Sequence, residues 1–470
     1  MHVERFYLDC LAHASYVIAD RTAGTAAVVD PQRDIQQYLD YLSQHDLRLQ
    51  YVLETHLHAD FVSGHVELAE KTGAEIVFGA AAGARMNHRA VQDGDELPLG
   101  VDTTIRVLET PGHTPDSVCY LVRNTASGEP GVLFSGDTVF VGDVGRPDLL
   151  GARIAPQALA DMMFDTIQNK IKSLPDATRI YPAHGAGSSC GRTLGTEAYT
   201  TIAQEKATNY AFKIDDRREF IEAITIDQPH APKYFAEDAV INRGGAPDLD
   251  SVLANVRELD VAAFRAAQAA GAFVLDTRDP EDFAAGFIPG SVNIGLDGSF
   301  AGWVGTIVPG NAKILLVAED QSEVESALRC ARIGYDNVVG FLKGNVRAWR
   351  EAGLDLDTNE RLEPGELQEL LAHESDGTGL RVLDVRKDTE RNRCFVPGSK
   401  YVTLSDLEHN MDEIPKDENI VVYCQGGYRS SIAVGLLRKH GHKTVRDVRG
   451  GIKAYRESGA PVAEPAPAGS

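Results

Sequence analysis

Apolar residues along this chain follow two rhythms. Toward the N-terminus, short runs such as Tyr51-Val52-Leu53, Ile105 to Leu108, Leu133-Phe134 and Ile180-Tyr181 are separated by turn residues, and a helical stretch spans Pro156 to Leu174. Short β-branched runs between turn signals read as strands, and longer amphipathic stretches read as helices. The N-terminal pattern predicts an αββα sandwich. Further along, apolar runs such as Ile314 to Val317 and Ile420 to Tyr423 alternate with amphipathic stretches, which predicts parallel sheets covered by helices on both faces. The fold class is α/β throughout.

The second rhythm occurs twice. Val274-Leu275-Asp276-Thr277-Arg278 is echoed by Val382-Leu383-Asp384-Val385-Arg386, Phe287-Ile288-Pro289-Gly290-Ser291 by Phe395-Val396-Pro397-Gly398-Ser399, and Lys343-Gly344-Asn345 by Arg449-Gly450-Gly451. Asp276 and Asp384 lie 108 positions apart and Gly344 and Gly450 106, the spacing of a duplicated domain rather than a solenoid repeat. The expected organisation is a sandwich over 1–245, a first copy over 246–357, a second over 358–462 and a disordered tail over 463–470. The Pro/Gly-rich piece from Gln228 to Asp250 reads as the linker.

Composition narrows this picture without redirecting it. With 470 residues the chain has room for about three cores. A net charge of −23 argues against nucleic acid or an anionic membrane as partner, and no apolar run is long enough to span a bilayer. The start, Met1-His2-Val3-Glu4-Arg5, lacks the form of a secretory signal, so the expected compartment is the cytoplasm. Six cysteines in so long a chain do not make a disulfide framework, so each thiol is read as core or as chemistry.

The chemistry concentrates at predicted strand ends. Thr55-His56-Leu57-His58-Ala59-Asp60-Phe61 follows Tyr51-Val52-Leu53, Pro111-Gly112-His113-Thr114 follows Ile105 to Leu108, and two further runs end at Asp137 and His184. These pieces resemble the metallo-β-lactamase superfamily, whose pattern His-x-His-x-Asp-His opens a two-metal site. In its dinuclear hydrolases Asp60, residue 61, Asp137 and His184 would share the second ion, but Phe61 offers no lone pair. What remains is His56, His113 and Asp137, a 2-His-1-carboxylate set that suits Fe(II) binding both substrate and O₂, whereas zinc held the same way would activate water.

Within the superfamily, Met1 to about Thr225 resembles the persulfide dioxygenases, iron enzymes related to the ethylmalonic-encephalopathy protein. The resemblance implies one Fe(II) on His56, His113 and Asp137, with His58, Asp60 and His184 orienting ligands and bound water. Arg146 is the candidate for holding the persulfide anion, and Cys190, in a glycine-rich loop past His184, is a possible auxiliary thiol. Glutathione-using members carry Asp-Tyr after the residue matching His184. Here Gly185-Ala186 stands there, which leaves the thiol open.

In the second copy Cys424-Gln425-Gly426-Gly427-Tyr428-Arg429 leads from a strand into a helix at Ser430 to Lys439. Inward backbone N–H groups and a helix N-terminus there favour a thiolate. The loop resembles that of the rhodaneses, implying a sulfur-carrying Cys424 with Arg429 closing the ring of donors. Four residues separate Cys from Arg, against five in related phosphatases, which suits sulfur transfer. Copy one places Ala318-Glu319-Asp320 at the equivalent position and reads as inactive. The whole resembles bacterial persulfide dioxygenase–sulfurtransferase fusions of sulfide detoxification. The expected small molecules are a thiol persulfide, O₂ and sulfite or thiosulfate, and the expected assembly is a homo-oligomer. The rival is a dizinc thioester hydrolase like glyoxalase II, fused to a sulfurtransferase.

Overall fold

The computed structural model describes all residues except 127, 151–152, 189, 193, 227, 229–230, 374–378 and 466–470. The described chain divides into two compact units, Met1–Val252 with Ala331–Tyr335, and Leu253–Cys330 with Asp336–Ser470.

The first unit is built on two six-stranded sheets. One runs in chain order from His2–Leu8 to Arg89–Val91 and includes Arg48–Leu53; the other includes Thr103–Glu109, Val132–Gly136 and Arg179–Pro182. Alternation along a strand explains the layering. In Tyr51-Val52-Leu53, Tyr51 and Leu53 enter the core between the sheets with Val107, Tyr120 and Phe134, whereas Val52 turns outward to a second core with Tyr38, Leu42 and Leu68. Those three residues lie on the helices Gln36–Gln44 and His65–Thr72. A third core packs Leu121, Leu133 and Ile180 against Met163 and Phe164 of the helix Pro156–Asp165. Helix, sheet, sheet and helix follow in that order, as the pattern predicts.

The helical stretch expected from Pro156 to Leu174 is α-helical only to Asp165. It then widens to a π-turn over Thr166–Lys170 and tightens to a 3₁₀ turn over Ile171–Ser173. The piece read as a linker contains a helix, Phe235–Gly244, that buries Phe235 and Asn242.

In the second unit each copy forms a five-stranded, wholly parallel sheet. The strand order is Arg257–Leu259, Val338–Leu342, Ile314–Val317, Phe273–Asp276, Val292–Asn293 in copy one, and Arg361–Leu362, Val445–Val448, Asn419–Tyr423, Leu380–Asp384, Lys400–Tyr401 in copy two. The repeated Asp-x-Arg has the same use in both. Arg278 Nη2 lies 2.6 Å from Asp276 Oδ2 and donates to Gly286 O, while Arg386 Nη2 lies 2.8 Å from Asp384 Oδ2 and donates to Cys394 O. Of the expected tail, Ala463 exchanges backbone hydrogen bonds with Phe395 (2.8 Å each way), and 466–470 lie outside the described residues.

Candidate active sites

Strand ends deliver the first cluster. Arg48–Leu53 leads to His56, Thr103–Glu109 to His113, Val132–Gly136 to Asp137 and Arg179–Pro182 to His184. His56 Nε2 and His113 Nε2 lie 4.0 and 3.4 Å from Asp137 Oδ2, all three side chains are buried, and one ligand atom from each lies within 4.8 Å of the others.

Hydrogen bonding sets which nitrogen is bare. His113 Nδ1 donates to Arg146 O at 2.9 Å. Thr55 Oγ1 donates to Asp30 Oδ2 at 2.9 Å and so accepts from His56 Nδ1 at 3.0 Å. Both Nε2 atoms therefore carry lone pairs, and burial holds the two rings below the usual histidine range, so both are neutral. Asp137 Oδ2 is buried without a hydrogen-bond partner. Two bare nitrogens and an orphaned carboxylate oxygen at these distances fit a single cation. Gly136, at φ 52°, makes this approach possible, because a Cβ there would strike the Thr55 side chain.

The neighbouring group is Asp60, His184 and Cys190. His184 Nδ1 and Nε2 each lie 2.8 Å from a carboxylate oxygen, of Asp137 and Asp60 respectively. Burial alone would lower its pKa, but these two carboxylates push it up to about 10. Burial and the same carboxylates push the Cys190 thiol up, favouring S–H over thiolate. Phe61 is buried between two imidazoles, 4.0 Å from the His13 ring and 4.4 Å from His58 (centroid to centroid). His58 Nε2 lies 3.1 Å from Asp30 Oδ1 and 3.3 Å from Glu54 Oε2, and its Nδ1 is buried without a hydrogen-bond partner.

Arg146, the anion-holding candidate, is buried and gripped by Asp148 through Nε and Nη2 at 2.7 Å each. Its carbonyl is what touches the site, through His113. Sequence reading passed over Asp30, Glu54, Thr55, His13 and Asn242. Asn242 Nδ2 donates to His58 O and Phe61 O and its Oδ1 accepts from Ser63 N, all at 2.8 Å, tying down the loop that carries the motif. Asp30 had a usable signal, a carboxylate directly after the strand Thr25–Val29, as Asp137 follows its own strand.

In the second unit, Cys424 lies between the strand Asn419–Tyr423 and the helix Tyr428–Lys439. Gly427 N donates to its Sγ at 3.1 Å and Ser430 Oγ lies 3.7 Å away. Arg429 forms a fork with Glu390, at 2.6 and 2.7 Å. Gly427 has φ 99°, a left-handed turn that aims its N–H at the sulfur. Copy one retains that turn, since Gln321, the equivalent residue, has φ 77°. Ala318 stands in the place of the cysteine, and Asp320 is drawn to Asn345 and Arg347. Cys330 is buried on the next helix, where desolvation pushes its thiol up to about 12.

Comparison with known proteins agrees with this geometry. Residues 8–184 match the metallo-β-lactamase superfamily, and 260–352 and 363–458 each match the rhodanese-like domain. A metallo-β-lactamase structure from Staphylococcus aureus subsp. aureus COL superimposes with a TM-score of 0.66 at 33% identity, covering 73% of this chain and 98% of that one. The chain belongs to the metallo-β-lactamase superfamily and carries two rhodanese-like domains behind the sandwich.

Two curated relatives differ in stated activity. A cytoplasmic hydroxyacylglutathione hydrolase from Arabidopsis thaliana is 32% identical over 38% of this chain, and a mitochondrial persulfide dioxygenase from Bos taurus 30% identical over 36%. The chain spans 66% and 63% of their lengths. No described helix is long and apolar enough to cross a membrane.

Proposed function

We propose that the chain is a persulfide dioxygenase joined to a sulfurtransferase, with one Fe(II) on His56, His113 and Asp137 and sulfane sulfur carried on Cys424. The observation that carries this reading is Phe61, whose ring fills the space between His13 and His58 where the dinuclear hydrolases need a nitrogen. Fe(II) there would supply the redox chemistry that joins O₂ to the outer sulfur of a persulfide. Overall, RSSH, O₂ and H₂O give RSH and sulfurous acid, which ionises to sulfite. The chain's part is to keep two Nε2 lone pairs and one carboxylate oxygen pointed inward and to bury them from bulk water.

At the second site the backbone N–H of Gly427 and the N-terminus of the following helix favour negative charge on sulfur, so Cys424 can hold a persulfide and pass its outer sulfur to sulfite as thiosulfate. The Glu390 fork fixes the Arg429 guanidinium at the end of the loop.

Hydrolysis at two zinc ions is the competing reading, favoured by the convergence of Asp60, His184 and Cys190 beside the triad. Metal analysis with an oxygen electrode separates the two. About one iron per chain with O₂ uptake on adding a thiol persulfide is expected, while two zincs with thioester hydrolysis would overturn the proposal.

A further inference from the structure

The sulfur of Cys424 has two hydrogen-bonding neighbours of opposite kind. Gly427 N donates to Sγ at 3.1 Å, whereas Sγ donates to Ser430 Oγ at 3.7 Å. The direction of the second contact follows from where Ser430 sends its single proton. Its Oγ lies 2.8 Å from Asp447 Oδ2 and 3.1 Å from Gly427 O. The carboxylate is both nearer and charged, so it takes the proton and leaves a serine lone pair facing the sulfur. Asp447, on the strand Val445–Val448, is itself held. Its Oδ1 accepts from Asn359 Nδ2 at 2.7 Å and Arg361 Nε at 3.2 Å, and its Oδ2 accepts from Arg361 Nη2 at 3.0 Å. Cys424, Ser430 and Asp447 are at most 1% exposed, so bulk water does not compete for these groups. The other charges around the loop are paired: Arg429 with Glu390, Arg386 with Asp384, and Arg361 with Glu281 as well as Asp447.

Copy one supplies a control within the same molecule. It keeps the Asp276–Arg278 pair and the left-handed turn at Gln321, but Ala318 stands at the position of the cysteine, Val324 at that of Ser430 and Phe341 at that of Asp447. Glu258 pairs with Phe341 across the strands, where Arg361 pairs with Asp447. The five-stranded fold thus forms in copy one without the polar chain, which stands only where the thiol does. We infer that Asp447 is a positioning residue that, through Ser430, holds an acceptor against Cys424 and so raises the pH at which the unloaded sulfur gives up its proton. The thiolate is the form open to alkylation and oxidation, so the pair restrains the site between loads and tempers the pull of Gly427 N and the helix N-terminus. This rests on reading Cys424 as the sulfur carrier and adds what governs its reactivity.

The test follows alkylation of Cys424 by iodoacetamide across pH in the full chain, read by mass spectrometry of its own peptide after sulfite has removed any sulfane sulfur. The midpoint of the rate profile reports ionisation of the thiol. Asp447→Asn turns its oxygen to Asn359 and Arg361 Nε and an N–H to Ser430, freeing the serine proton for a thiolate. The midpoint should fall by about one pH unit. Ser430→Ala removes the lone pair and should lower the midpoint by a smaller amount, whereas loss of a hydroxyl that donated to sulfur would raise it. In the Ser430→Ala background Asp447→Asn should add less than it gives alone, a coupling that loosening of the strand or loss of a charge would not produce. Ser430→Ala decides the sign by itself should Asp447→Asn not fold. A midpoint raised or unmoved in Ser430→Ala, or an Asp447→Asn shift equal in both backgrounds, overturns the inference. Parent protein unable to exchange sulfur between thiosulfate and cyanide would instead overturn the reading of Cys424 as carrier.

Discussion

Thr55 shows how one hydroxyl can govern a metal site. It donates to Asp30 and accepts from His56 Nδ1, so the opposite nitrogen stays bare. Thr55→Val preserves shape and removes that lock, and metal affinity should fall roughly 10- to 100-fold, as read by competition with a chromogenic chelator; unchanged affinity would refute the role. Phe61→His restores the missing nitrogen beside Asp60 and His184, and bound metal should rise from about one toward two per chain by elemental analysis. At this scale the sequence was legible where candidate site residues sit in short contiguous motifs, as with His56, His58 and Asp60. It was opaque for Glu390 and Asn242, whose partners Arg429 and His58 lie 39 and 184 positions away. Arg146 shows the opposite case: its charge suggested an anion site, but Asp148, two residues on, occupies the guanidinium.

Among the elements, the helix Phe235–Gly244 reaches the first site through one residue. Asn242 on it satisfies the carbonyls of His58 and Phe61 and the N–H of Ser63, groups that would otherwise be buried without partners. Asn242→Ala should destabilise the first unit by on the order of 3 kcal/mol, seen as a lower urea midpoint, and should weaken metal retention alongside. Composition read this stretch as a linker because Pro and Gly flank it, and an amphipathic pattern cannot reveal one asparagine aimed at a distant loop. The strands were easier to read. Their alternation sorts Tyr51, Val52 and Leu53 between two cores, and every candidate ligand of the first cluster follows the end of one.

For the whole molecule, the two candidate sites sit in separate compact units, each with its own core. Chelating the metal, or His113→Ala, should abolish O₂ uptake while leaving thiosulfate–cyanide sulfur exchange intact. Cys424→Ser should do the converse, and loss of both activities in either variant would show that the sites are not separable. The duplication was legible because its landmarks recur with near-constant spacing. The backbone kinship was not, since Gln321 and Asn345, with φ 77° and 47°, occupy left-handed positions where copy two has Gly427 and Gly451. Copy one thus keeps the contour of the loop with Ala318 at the cysteine position, and residues 318–323 amount to an empty socket. Transplanting the six residues from Cys424 to Arg429 into that socket should yield a chain that loads two sulfane sulfurs instead of one.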